Sequence, residues 1–548
     1  SPMSILDIWG GSQVRLDGQS DNAYAVIGRD ENSKGAVSIS DKDSELSLVG
    51  RESFLTVGNE GLGFLNIEAG GSASALAVTL GRSATGMGSA VVDGLSVDET
   101  QRSELRIEGR FGDGDGAFLQ VGREGQGTLT VSNGGLVSID GQGGTYPGFT
   151  VGGLLGSVGI VNVTGDGSEI LISNGSAAIG GGQGFIAIGR EGSGTVVLSD
   201  GGQIVNGPGG YTFIGRDPTG NGNLLLDGTD SAGAVFDAGA VLIIGADFDF
   251  TTGLIDFQNG GLGVATVTAG TTLRAGAAEG DGISDIFLGS GGTLNIQNGG
   301  TVIGDIENVG GTLINGNSPG TANFGGDFAM SQGFLEVEIA GSSSGTFDLY
   351  QVAGTASLNG GTIGFVLIDG FAPTTGTTVE FLTAGAGMVA DIEQLSLSFD
   401  GVDRAFEFAV DITANGARVT VLNDAGAGDS LIYLGGGGSD DVRGGAGDDY
   451  LDGGGGRDTL FGGAGADSFV VRAADAAETL DLADLITDFE VGIDHLGLVD
   501  GLTAGDLALT STAGGDAVVS LKSTGAYLAI LQGVNATDIT IEEITATL

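Results

Sequence analysis

The chain has 548 residues, 40% of them hydrophobic, 111 of them glycine and none cysteine, and its formal charge is −51 from 70 acidic and 19 basic residues. That size and apolar fraction allow several domains with real cores, while the missing cysteine excludes disulfides and thiolate sites for metal or catalysis. The acidity excludes nucleic acid as a partner, because phosphates need clustered Lys and Arg, and its self-repulsion makes divalent cations the natural counterweight.

Taken in order, residues 1–3 (Ser-Pro-Met) show neither the basic region nor the apolar core of a signal peptide. No run of about 18 apolar residues follows anywhere, so no membrane span is expected. Trp9 is expected to anchor the packing of the N-terminus. From residue 26 to about 306 one phrase recurs: a hydrophobic triplet, Gly, often an Arg-acid pair, a second glycine, an alternating strand, then a glycine pair. It reads VIGRDENSKGAVSI at 26–39, TVGNEGLGFLNIEAGG at 56–71, QVGREGQGTLTVSNGG at 120–135 and AIGREGSGTVVLSDGG at 187–202. Counting looser copies, the first glycine falls at Gly28, Gly58, Gly81, Gly122, Gly152, Gly189, Gly215, Gly245 and Gly289. Alternating segments such as 128–131 point β-branched residues to one side, and Asn-Gly-Gly or Asp-Gly-Gly supplies the positive φ of a corner.

These features predict an all-β chain built on a right-handed parallel β-solenoid over 1–306, the hand following the usual crossover rule. Arg29, Arg82, Arg123, Arg190 and Arg216 are read as an inter-coil ladder of ion pairs rather than a row of anion sites. FGDGDGAF at 111–118 reads as a turn, and the paired Asp247 and Asp249 carry no catalytic specificity. The region resembles the glycine-rich repeats of bacterial surface proteins and autotransporter passengers. NGNSPGTANFGGDFAMSQGFLEVEIAG (315–341) and FDLYQVAGTASLNGGTIGFVLIDGF (347–371) are similar to the end of such a passenger. The resemblance implies that 307–424 closes and caps the solenoid.

Four nonapeptides then run in register: GGGGSDDVR (435–443), GGAGDDYLD (444–452), GGGGRDTLF (453–461) and GGAGADSFV (462–470). Each has Gly at positions 1, 2 and 4, Asp at 6 and an apolar residue at 8. The glycines let the backbone turn tightly and aim carbonyl oxygens at one point, and the Asp adds a charged oxygen. Ca²⁺ takes six to eight oxygens at about 2.3–2.6 Å, so this is a calcium pattern. The candidate ligands are Asp440, Asp449, Asp458 and Asp467 with the turns at Gly436, Gly438, Gly445, Gly447, Gly454, Gly456, Gly463 and Gly465. The nonapeptide is identified as the RTX calcium-binding repeat. That resemblance implies a β-roll of two repeats per coil with several ions between turns, Asp440 and Asp449 facing the turns of Asp458 and Asp467. AGAGDSLIYL (425–434) resembles a degenerate further turn.

Beyond the repeats, 474–486 is expected to form a short amphipathic helix. ITDFEVGIDHLGL (486–498) resembles the capping strand of RTX exoproteins, which adds Asp488 and Asp494 as candidate ligands. The tail 525–548 resembles a type I secretion signal. The domains expected are therefore 1–306 solenoid, 307–424 solenoid end, 425–470 β-roll, and 471–548 a small β-rich cap with the export signal. His495, the only histidine, is read as structural, and a lone histidine excludes a His-based zinc set.

The function expected is that of an extracellular, non-enzymatic calcium-binding protein of a bacterial surface or matrix, an adhesin or a self-assembling surface-layer or filament subunit. Its partners would be calcium, the type I export machinery, and either further copies of itself or a cell-surface glycan. The alternative is a polysaccharide-active solenoid of the lyase or epimerase kind. Epimerases of that kind use a histidine beside Asp and Tyr, and the solenoid has none.

Overall fold

The computed structural model describes all residues except 1, 20, 110, 112–115, 144–146, 174–183, 208, 229–232, 250–253, 277–284, 298, 317–318, 370, 372, 391–394, 401–405, 425–431, 435–438, 446, 500–501, 540–543 and 546–548. It forms two compact units, Ser1–Gly333 with Tyr350–Thr355, and Phe334–Leu349 with Ala356–Leu548.

The first unit is a parallel β-solenoid with three strands per coil. One full coil runs Phe118–Val121, Gln126–Ser132 and Leu136–Asp140. Each strand pairs in parallel with its counterpart one coil away, so three walls rise side by side. The first wall runs from Ala23–Ile27 to Ile286–Leu288. The second runs from Ser4–Ile8 to Gly292–Ile296, and the third from Gln13–Asp17 to Thr301–Ile303. Alternation along each strand sends every second side chain inward. In this coil Leu119, Val121, Leu129, Val131, Val137 and Ile139 are all fully buried, each stabilising the coil by about 1.5–3 kcal/mol of gross transfer energy.

Besides the expected Asn-Gly-Gly and Asp-Gly-Gly corners, where Asn133 and Asp200 have positive φ, each coil turns at the first glycines of the repeated phrase. Eight of them, from Gly28 to Gly245, have φ between 65° and 71°. The reason is visible at Gly122, where an added Cβ would lie 2.2 Å from the carbonyl oxygen of Val158 in the next coil. No side chain fits there, and φ is left-handed besides. Gly289 is the exception and lies outside that region. Beyond it one strand, Ile306–Ile314, spans the corner and pairs with two walls at once.

The arginine ladder is only partly inter-coil. Arg190 reaches Asp217 at 3.5 Å and Arg216 reaches Asp247 at 3.8 Å, each in the following coil. Arg29 and Arg123 instead pair with their own neighbours Asp30 and Glu124. Trp9 does not anchor the N-terminus: it is 67% exposed. Asp113 and Asp115 of the 111–118 turn lie outside the described residues.

In the second unit, Phe334–Ile339 pairs in parallel with Thr362–Leu367, and Gly361–Val366 with Leu395–Asp400. Thr378–Ala384, Gly416–Asp424 and Phe406–Thr413 follow as an antiparallel set. The C-terminal part is a roll of two parallel sheets. One stacks Ile432–Leu434, Tyr450–Asp452, Ser468–Val471 and His495–Leu498. The other stacks Asp441–Gly445, Thr459–Gly463, Asp484–Ile486 and Tyr527–Leu531, then turns antiparallel through Ala517–Leu521 and Leu507–Ser511. One core joins them, with Val442, Leu451, Leu460 and Phe469 from the repeats packed with Ile486, Leu496, Val519 and Leu531. The helix expected at 474–486 is absent. Two 3-10 turns, Ala473–Asp475 and Leu480–Leu482, lead into the strand Asp484–Ile486. That strand is claimed by ladder pairing with Thr459 and Leu460, a tertiary demand that overrides local periodicity.

Candidate metal centre

Because two nonapeptides make one coil, the sixth residue of each repeat lands above the sixth residue two repeats on. The Asp440 backbone N–H donates to Asp458 Oδ1 at 2.8 Å, and the Asp449 N–H to Asp467 Oδ1 at 2.8 Å, each 18 residues away. The same bond then continues past the repeats. The Asp458 N–H donates to Asp484 Oδ1 at 2.9 Å across 26 residues, and the Asp467 N–H to Asp494 Oδ1 at 2.9 Å across 27. Two columns result: Asp440, Asp458, Asp484 and Asp449, Asp467, Asp494.

Asp484 is the residue that motif reading misses. An insertion lengthens its coil, so the nine-residue spacing and the glycines are lost. The surviving signal is the triplet of Asp, any residue, apolar: Asp484-Leu485-Ile486 matches Asp458-Thr459-Leu460.

One oxygen of each central carboxylate is thereby engaged. The other is not: Oδ2 of Asp458 and of Asp467 is buried with no hydrogen-bond partner among the described residues. Both side chains are fully buried. Each Oδ2 lies against the first glycine of its own repeat, and a Cβ on Gly453 or Gly462 would approach it to 2.2 Å. The first glycines therefore keep the carboxylate's space open, a role the sequence reading did not give them. The second and fourth glycines shape the turn. Gly445, Gly454, Gly456, Gly463 and Gly465 all have positive φ, and a Cβ on Gly465 would meet the Gly447 carbonyl oxygen at 2.0 Å. Gly436 and Gly438 lie outside the described residues.

Asp488 and Asp494 behave differently. Asp488 accepts the Gly462 N–H on Oδ1 and the Gly463 N–H on Oδ2, both at 2.8 Å, and so clamps a glycine pair. Asp494 takes the Asp467 N–H on Oδ1 and the Glu490 N–H on Oδ2.

Without a cation these carboxyls resist ionisation. Burial, with the charges of Asp484 and Asp440 added, pushes Asp458 up to about 8. Burial and the charges of Asp494 and Asp449 push Asp467 up to about 7. Burial likewise raises Asp484 to about 7, and raises Asp494. Carboxylates whose burial outweighs any nearby positive charge fit a hard cation. Among the described residues no three acidic or histidine side chains converge as a ready metal cluster. A site here must combine one or two carboxylates with backbone carbonyls, a donor set that suits Ca²⁺ and not the nitrogen- and sulfur-preferring metals.

Comparison with known proteins agrees in part. No curated protein matches the chain. A crystal structure of a TibC-catalyzed hyper-glycosylated TibA fragment aligns over 71% of this chain and 99% of that chain, at 15% identity and a TM-score of 0.22. Residues 434–469 match the family model of the RTX calcium-binding nonapeptide repeat in four copies, and this segment is therefore a calcium-binding repeat block.

Proposed function

We propose that this is an exported, non-enzymatic protein of a bacterial surface or matrix whose terminal roll folds on calcium after export, leaving the solenoid as the working body. The observation that carries the reading is the pair of aspartate columns, with buried, unsatisfied Oδ2 atoms on Asp458 and Asp467. Asp440, Asp449, Asp458, Asp467, Asp484 and Asp494, with carbonyls of the glycine turns, would hold several ions. Ca²⁺ would supply the positive charge that lets these carboxyls ionise inside the roll. Extracellular calcium modules bind at about 10⁻⁴–10⁻³ M, above cytosolic calcium, so folding would wait for the outside. The domain division at 306, 424 and 470 and the type I export signal in 525–548 belong to the same reading.

The solenoid exterior favours a structural role over polysaccharide chemistry. Its outward positions stack in one register from coil to coil. The cavity of about 390 Å³ beside Asp41, Ser96 and Val97 is open, and its Lys42 is held by Asp98 and Thr100 at 3.0 and 2.8 Å. The test is calorimetric titration of calcium into the calcium-free chain, with assay against acidic polysaccharides alongside. Several sites with a coupled gain of β-structure and no depolymerisation are expected; turnover of a polysaccharide would replace this reading with the enzymatic one.

A further inference from the structure

The three walls of the solenoid meet solvent in three different ways. The third wall is charged, with Glu104, Arg106, Glu169, Asp237 and Arg274 at outward strand positions. The first wall is largely covered by the chain itself. Its outward Thr56, Ala77, Ala187, Phe213 and Ile243 are buried, the last two in a cluster with Ile255 from the hairpin of Asp247–Asp249 and Leu254–Asp256.

The second wall is uncovered, and from Lys34–Ser40 onward its charges, Lys34, Glu68, Asp93 and Asp227, are confined to its two edges. Nine strands, from Lys34–Ser40 to Gly292–Ile296, pair in one unbroken register. Two central rows of outward positions cross all nine, one from Ala36 to Thr293 and one from Ser38 to Asn295. Not one of these eighteen positions is charged, in a chain where 16% of residues are. Phe64, Val91, Ile160, Val197, Leu225 and Val264 alternate there with Ser, Thr, Asn and Ala. The face is open: Ile160 is 38% exposed, and Met87, Val158 and Leu262 along its edge are 47%, 39% and 64% exposed.

We propose that this wall is a self-association surface that docks the same wall of a second copy, sheet against sheet. Two chains of charge −51 repel wherever carboxylates face one another, and the two central rows of the second wall bring none into opposition. The size also fits. Nine strands at about 4.8 Å by six or seven residues at about 3.3 Å give a face of roughly 40 by 20 Å, uncharged in its two central rows and with Lys34, Glu68, Asp93 and Asp227 at its edges. That is about 800 Å² per copy, the area a standard specific interface buries on each partner. The mixture of aliphatic and hydroxyl side chains with no charge at the centre matches the composition of such interfaces. This surface extends the structural reading of the chain, and its test is separable from calcium binding.

The strand Val158–Thr164 is the fifth of the nine, so in a twofold pairing Ile160 lies near the axis and a substitution there counts twice. Sedimentation equilibrium of the full chain in millimolar calcium, between about 1 and 100 μM, should give twice the chain mass of 54.0 kDa. Ile160→Glu should weaken association by roughly 30-fold or more, because it buries like charges at the centre. Ser138→Glu, the same charge on the third wall, should leave it unchanged. The chain contains no cysteine, so Asn162→Cys should cross-link into dimers and Ser138→Cys should not, which keeps the test valid if Ile160→Glu folds poorly. A wild-type monomer at 100 μM overturns the proposal, as does equal loss from Ser138→Glu. So does a monomer that adsorbs to crystalline polysaccharide through this wall, shown by loss of adsorption in Ile160→Glu. Calcium-dependent gain of structure, followed by circular dichroism in the same samples, reports on the roll alone.

Discussion

The solenoid and the roll are both parallel stacks with glycine at the corners, yet they are held together differently. A solenoid coil encloses six fully buried aliphatic side chains, as 118–140 does. A roll coil has one inward position per short strand, Leu451 on one side and Leu460 on the other. Both also stack aspartates. In the solenoid the Asp305 N–H donates to Asp285 Oδ2, the Asp327 N–H to Asp305 Oδ1 and the Thr355 N–H to Asp327 Oδ1. There the carboxylate ladder supplements a core that exists without it. In the roll the ladder runs beside strand pairing and a core of one apolar residue per short strand, and its charge must be neutralised for the coils to stack. The comparison teaches that a cation is needed where the apolar cross-section becomes too small.

The largest expected effect follows directly. Chelation of calcium should unfold the roll while leaving the solenoid intact, giving a partial loss of the β signal in far-ultraviolet circular dichroism; loss of the whole signal would break the comparison. Next, Leu129→Ala inside the solenoid should cost about 2–5 kcal/mol of solenoid stability in denaturant unfolding, with calcium affinity unchanged. Asp458→Asn should do the opposite, lowering calcium affinity about 10-fold or more, about 1.4 kcal/mol, without moving the solenoid transition. Asp484→Asn should resemble it if the column truly extends past the repeats.

The pH dependence sharpens the same contrast. Asp458, Asp467 and Asp484 sit at about 8, 7 and 7 in the folded roll, against about 3.9 when unfolded. The calcium-free fold thus holds protons that the unfolded chain releases. The stability these three carboxyls contribute is fully present below about pH 4 and is lost as pH rises through 7 to 8. Calcium must displace those protons, so its affinity should rise from pH 6 to pH 8, measurable by titration at each pH. The smallest effect belongs to the half-buried corner pairs: Arg190→Ala, which removes contacts to Glu191 and Asp217, should shift thermal unfolding of the solenoid by less than about 1 kcal/mol.

Much of this was legible in the residues. The corner glycines betray themselves because nothing else fits between stacked coils at φ near 70°. The repeat aspartates do so because spacing of nine maps directly onto a two-repeat coil. What spacing could not show is the coil that follows, where an insertion separates Asp484 and Asp494 from the pattern while ladder bonds keep them in the columns. Nor could periodicity show that 474–486 ends in a strand, since its partner lies more than 20 residues earlier. The uncharged centre of the second wall was present in the sequence as Ser, Thr and Val at alternating positions. It became a surface only once register placed those positions in rows.

Hydrogen exchange read peptide by peptide on the full chain, in millimolar calcium and again in chelator, tests the central claim most directly. The account predicts that protection across 441–498 is present with calcium and lost without it, while the coil 118–140 stays protected in both. Protection of 441–498 that survives chelation would contradict it.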